Sequence, residues 1–218
     1  MSKSSRSEQF RNLERELKFL RKQLLPQKFN PTGVYPHRVI TRTIAYRVLA
    51  HAEFEEYIEK RVWDLALSSI RTLETTGRVN RVVACLIAFS GQKQDFPPET
   101  LAPPSGTQRP SWDIKIELSE KAKSSLNILN WIIDQNHGMK EKNLLALLLP
   151  VGIQPSQLDV TWLSTVNSFS QQRGIFAHRS ISSYRATLLP NPQDELDTVR
   201  KILSGFRAVD DNLNKLLP

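Results

Sequence analysis

Hydrophobic positions along this chain recur at steps of three and four, the spacing of one face of an α-helix. Phe10, Leu13, Leu17, Leu20 and Leu24 form the first such stripe, with Arg, Lys and Glu between them. It resembles roughly two coiled-coil heptads, and either packing on the chain's own domain or self-association would cover it. Pro26 ends it, and QKFNPTGVYPHR, with Pro31, Gly33 and Pro36, reads as a linker. From Thr41 to about Thr76 a long helical pattern runs without Gly or Pro. Ile44, Val48, Ala52, Ile58, Val62 and Leu65 supply one face, Leu49, Trp63 and Leu67 lie beside it, and Glu55 falls on that face. Helix-forming residues resume after Gly77 and run through Val82, Val83, Leu86 and Ile87 to Phe89. No strand-like alternation interrupts this half.

The stretch 90–111, SGQKQDFPPETLAPPSGTQRPS, holds five prolines and two glycines and reads as a long loop, a solvated excursion or a lid. Ser119 is expected to cap a helix that runs to about Asn136, with Leu126, Leu129, Ile132 and Ile133 on its buried side. Gly138 is expected as the cap at its C-terminal end. A short helix follows from about Lys140 to Leu149, then a turn through Gly152 and Pro155. Another helix starts near Leu158, and after the break at LLPNPQ a last one covers Asp194 to Leu217. Leu196, Val199, Ile202, Leu203, Phe206, Val209 and Leu213 form its stripe. The chain therefore reads as all-α, with residues 1–30 a basic amphipathic helix and linker start and 31–218 a helical domain.

Composition changes this picture in two respects. Eight glycines in 218 residues are few for a turn-rich β fold, and the formal net charge is +8. The excess is concentrated in front: Ser2 to Lys28 holds eight Lys or Arg against three Glu. That is compatible with a polyanionic partner such as RNA. Cys85 is the single cysteine, set among Val82, Val83, Ala84, Leu86 and Ile87, and is expected to be a buried inert thiol. The start, MSKSSRSEQ, lacks the apolar core of a signal peptide, and the greasiest run, Leu144 to Ile153, is broken by Pro150. A soluble cytoplasmic protein is the expectation, with no membrane association. No Gly-rich phosphate loop, metal-spaced Cys/His cluster or G-x-S-x-G elbow is present, so no metal or cofactor is expected. His37 in the linker, His51 within the long helix and His137 near a helix end are assigned structural or solvated roles.

One stretch breaks its own pattern. In TWLSTVNSFSQQRGIFAHRS, Trp162, Val166 and Phe169 form a buried stripe whose next position is Arg173. Gly174 follows, and His178 is five residues beyond the arginine. Around a regular helix the two would stand about 140° apart. The reach of Arg and a helix deformed at Gly174 would still let both heads edge one groove, and a second copy across a two-fold axis would bring two arginines and two histidines into one cleft. Arg offers a planar, permanently charged fork for phosphate oxygens. His titrates near neutrality and can move a proton to or from a ribose hydroxyl or a leaving oxygen.

QQRGIFAHRS resembles the R-x(4–6)-H signature of the HEPN superfamily. HAEFEEYIEKRV is similar to the early long helix of such domains, which often carries an acidic residue. LNILNWIIDQNHGMKEKNLLALLLPVGI followed by TWLSTVNSFSQQRGIFAH resembles the element order of the RiboL-PSP-type branch, over roughly Ile40 to Tyr184. The resemblance implies an all-α HEPN-like helical bundle, here with an extra N-terminal amphipathic helix. It implies a metal-independent endoribonuclease, usually a homodimer, of the kind found in toxin–antitoxin and antiphage defence systems, with RNA as substrate and an antitoxin protein as a further partner. Arg173 would bind the scissile phosphate, His178 would be the acid/base, and Glu55, with Glu56 one register away, matches the early acidic residue. The position after the arginine, often polar in the family, is Gly174 here. With the basic N-terminal helix it motivates an alternative, a non-catalytic HEPN-like module that binds RNA or a partner protein.

Overall fold

The structure, a computed structural model, describes residues 6–91, 117–178 and 189–218, the last four of the middle stretch (175–178) as backbone only. Within them lie seven α-helices and no strand. These are α1 (Glu8–Leu24), α2 (His37–Thr76), α3 (Arg81–Phe89), α4 (Leu118–Asp134), α5 (Glu141–Leu148), α6 (Val160–His178) and α7 (Pro192–Asn214), with a 3₁₀ turn at Pro155–Gln157 before α6. The all-α expectation holds. Of the proline-rich stretch 90–111, only Ser90 and Gly91 fall within the described residues.

Local chemistry sets most helix ends. The Ser7 hydroxyl accepts the Phe10 N–H at 3.0 Å and opens α1, and Asn80 does the same for Val83 at the start of α3. Gly77 closes α2 in the left-handed region (φ 70°), its N–H returning to the Leu73 carbonyl at 2.8 Å. Two expected caps are misplaced. Helix α4 opens at Leu118, after Glu117, so Ser119 lies inside its first turn. It closes at Gln135 in a right-handed conformation, and Gly138 (φ 147°) turns the chain toward α5 rather than capping α4.

The 40-residue α2 is the spine: it runs for roughly 60 Å and touches every other helix. Helix α1 lies antiparallel along it, with Gln9 donating to Asp64 at 2.7 Å and the Phe10 ring edge-on to Tyr57 at 5.7 Å. Its stripe, Phe10, Leu13, Leu17 and Leu20, is buried in a core that continues unbroken to Leu213 in α7. The stripe is therefore covered by the other described helices, in one continuous core. Helix α7 runs parallel to α2 and buries Leu196, Val199, Ile202, Phe206, Val209 and Leu213 as its spacing predicts.

The face expected of α2 is correct only in its second half. Ile58, Val62 and Leu65 are fully buried, but Ile44 and Val48 are only half-buried and Ala52 is exposed. In the first half the buried positions are Ile40, Thr43, Tyr46, Arg47, Ala50, His51 and Phe54. Two arginines among the buried residues of α2 find carboxylates on α7. Arg47 pairs with Glu195 and Arg61 with Asp210, all four side chains being nearly inaccessible. The pairs are fourteen residues apart on α2 and fifteen on α7, so together they fix the parallel register of the two helices. Tyr57 joins the second pair, its hydroxyl 3.1 Å from Asp210. Burial first, and the neighbouring Asp210 second, push its phenol above the usual tyrosine range. Cys85, expected to be buried, is only half-buried on α3. Among the described residues no helix is long and apolar enough to cross a membrane.

Candidate functional site

Helix α6 carries the Arg-x4-His motif on its closing turns. The Asp159 carboxylate accepts the Trp162 N–H at 2.7 Å and starts the helix. Trp162 then anchors it: its indole N–H donates to the Ile202 carbonyl at 3.1 Å, and its ring meets Phe206 edge-on at 5.1 Å. Gly205 permits that approach, since a Cβ there would lie 2.1 Å from the indole. Val166 and Phe169 continue the buried stripe as the spacing predicts.

Beyond Phe169 the interior becomes polar. The Phe169 ring stacks on His51 (centroids 6.1 Å apart, 21° between planes) and lies under the Arg47 guanidinium, 5.2 Å from its centroid. Arg47 forks onto the Glu195 carboxylate, with Nε donating to Oε2 at 2.7 Å and the terminal nitrogen NH2 close against Oε1. Its remaining terminal nitrogen, NH1, donates to the side-chain carbonyl of Gln172, the residue before Arg173. Arg173 itself is half-buried, and its Nε is enclosed without a hydrogen-bond partner among the described residues. The guanidinium thus has one edge in a dry environment, an arrangement that favours an anion where it emerges.

Helix α6 continues through Gly174 to His178, so the motif residues stay about 140° apart around the axis. The side chain of His178 lies outside what is described. A Cβ at Gly174 would meet nothing within 4 Å among the described residues. Packing does not require the glycine, and Gly174→Ala should stabilise the protein by about 1 kcal/mol. Thermal unfolding would register this as a rise of roughly 2–4 °C in melting temperature.

Glu55 lies elsewhere. Because α6 is antiparallel to α2, Gln172 stands level with Arg47 and Phe169 with His51. At the helical rise, Glu55 is roughly 12 Å along the axis from the level of Gln172 and roughly 20 Å from that of His178. The Glu55 carboxylate stands instead 3.5 Å from His51 Nδ1, which is buried and makes no hydrogen bond among the described residues. Within one chain the fold joins Arg47 to Gln172, the residue before Arg173, and to Glu195, and groups Glu55 with His51. His51 is buried within α2; His37, expected in the linker, is instead the first residue of α2 and is exposed, as is His137.

Arg47, Gln172 and Glu195 were not legible as site residues. The available signal was the i, i+4, i+8 polar series Arg47, His51 and Glu55, which marks one flank of α2 as polar.

A family model, RiboL-PSP-HEPN, matches residues 8–215. The match takes in α1 and α7, beyond the Ile40–Tyr184 span of the sequence resemblance. No curated protein and no solved structure matches the chain. The model covers nearly the whole sequence, and the chain belongs to the RiboL-PSP-HEPN family.

Proposed function

We propose that the protein is a metal-independent endoribonuclease of the HEPN type, acting as a homodimer. The observation that carries this reading is the Arg-x4-His motif on α6, with Arg173 Nε enclosed and without a partner among the described residues, in a chain of this family. Arg173 binds and orients the scissile phosphate. The ribose 2′-OH then attacks its own phosphorus, forming the P–O2′ bond as the P–O5′ bond breaks. His178 takes the proton from the 2′-oxygen or supplies one to the departing 5′-oxygen. The products are a 2′,3′-cyclic phosphate and a 5′-hydroxyl.

Homodimerisation is supported by the geometry of the motif and by one flank of α2. Arg173 and His178 diverge around α6, and a second copy supplies the missing direction. Beside Arg47 and His51, Ile44, Val48, Leu49 and Ala52 form an apolar flank that the chain leaves half-buried or exposed. Glu55 lies on that flank, so its contribution as the early acidic residue would come through His51 or across the two-fold axis. A role in toxin–antitoxin or antiphage defence, with an antitoxin protein as partner, rests on the family resemblance.

The test is incubation of the full chain with a mixed RNA pool in EDTA, followed by analysis of product ends. Cyclic phosphate and 5′-hydroxyl ends are expected. Products with 3′-hydroxyl and 5′-phosphate ends would show a different chemistry and overturn the assignment.

A second reading, a non-catalytic module that binds RNA or a partner protein, is favoured by α1. Arg11, Arg15, Lys18 and Lys22 are all exposed and follow helical spacing on the side away from the core. Deleting α1 cannot test this, because Phe10 and Leu13 belong to the core. Neutralising those four cations leaves the core intact, and RNA retention without cleavage, lost in that variant, is the signature of this reading.

A further inference from the structure

Phe169 is the last buried hydrophobic residue described on α6, and Gln171 and Gln172 are exposed. Among the described side chains beyond Phe169, Gln172 is met from α2 by Arg47. Arg47 reaches from α2 to α7 through its two contacts with Glu195, covers the Phe169 ring, and gives its other terminal nitrogen to Gln172. One guanidinium thereby joins three helices at the residue next to Arg173. The register of α2 against α7 is independently held by Arg61 and Asp210. The arm to Gln172 therefore adds nothing that the α2–α7 pairing needs, and its consequence falls on α6.

We propose that the Arg47–Glu195 pair is a positioning device that fixes the rotation and height of the motif turns through Gln172, so that Arg173 and His178 are presented in one fixed arrangement. Arg47, Glu195 and Gln172 are positioning residues and touch no substrate. The inference rests on the reading of Arg173 and His178 as the ribonuclease motif. It requires the bond from Arg47 to Gln172 to limit the motion of the following residues. A displacement of about 1 Å at a reacting group can cost 10²-fold in rate, so loss of this bond should appear in turnover rather than in stability.

Gln172→Ala and Gln172→Glu test it. The Gln172 side chain is exposed, so alanine removes the link and little else, while glutamate keeps an acceptor for Arg47. For Gln172→Ala the melting temperature is expected to stay within about 2 °C of wild type. Its kcat on RNA should fall about ten- to a hundredfold, with KM changed by less than about threefold. Amide exchange of residues 173–178 should be faster. Gln172→Glu should recover wild-type exchange and most of kcat. A Gln172→Ala enzyme with unchanged kcat overturns the proposal, and so does an equal fall of kcat in both variants, which would mean that Gln172 acts by itself. If the wild-type protein cleaves no RNA, the ribonuclease reading fails. The positioning claim is then decided by exchange alone, with faster exchange in Gln172→Ala but not Gln172→Glu supporting it and identical exchange in all three proteins overturning it.

Discussion

RNA cleavage by a His178→Ala variant is expected to fall about 10²–10⁴-fold below wild type, the range associated with loss of a positioned acid–base group. His178 is the last described residue of α6 and the titratable partner that the Arg-x4-His motif supplies. Without it the 2′-hydroxyl has no base of suitable pKa from the motif, while Arg173 still binds the phosphate. RNA affinity should therefore change far less than rate. Initial rates on a labelled RNA, with melting temperature measured on the same preparation, separate lost chemistry from lost fold. Cleavage undiminished in His178→Ala would remove this residue from the mechanism. Arg173→Lys should not substitute for Arg173, because an ammonium cannot present two parallel donors to a phosphate.

The largest effect on stability is expected at Asp210, which is completely buried. Its carboxylate accepts from the Arg61 Nε–H at 3.1 Å, the Tyr57 hydroxyl at 3.1 Å, the Ser7 N–H at 2.9 Å and the Ser7 hydroxyl at 2.6 Å. It thus ties α1, α2 and α7 together at one point. Asp210→Ala strands the Arg61 charge in the interior, and removing one member of a buried pair typically costs about 3–5 kcal/mol. That is a large part of the roughly 5–15 kcal/mol that holds a domain folded. At about 2–4 °C per kcal/mol for a chain of this size, the melting temperature should drop by roughly 6–20 °C. Replacing both Arg61 and Asp210 by apolar residues of similar volume should recover much of the loss, because the cost lies in the unpaired charge rather than in the absent attraction. Chemical denaturation of the single and double variants measures both. A single variant as stable as wild type would mean that water or Asn214, whose side chain accepts from Arg61 at 2.6 Å, compensates the charge.

Helix α7 was legible because six of its seven stripe positions are buried, although Glu195 and Asp210 are buried beside them. Helix α2 was legible as a helix but not in its orientation. Its apolar residues suggested a face through Ile44, Val48 and Ala52, whereas the fold buries Arg47, His51 and Arg61 instead. Hydrophobic spacing assigns charge to the surface, and that rule fails when a carboxylate on another helix cancels the cost of burial. The motif itself was visible as a break in a stripe, and Arg173 stands where that stripe leads. Its support was not visible, because Gln172 looks like an ordinary surface residue until Arg47 is placed beside it. The expected caps at Ser119 and Gly138 failed for a milder reason: capping preferences are local, and Leu118 is drawn into α4 one residue earlier.

The sequence by itself determined the helices, most of their ends and the spacing of Arg173 and His178, since these follow from interactions within a few residues. Only the tertiary structure decided which charges lie inside, because the partners that make this possible are 148 and 149 residues away along the chain. It also decided that α6 runs antiparallel to α2. That direction sets Glu55 beside His51, far from the end of α6, and puts Arg47 next to the residue that precedes Arg173. Direction and pairing depend on contacts between distant segments, and no local periodicity encodes them.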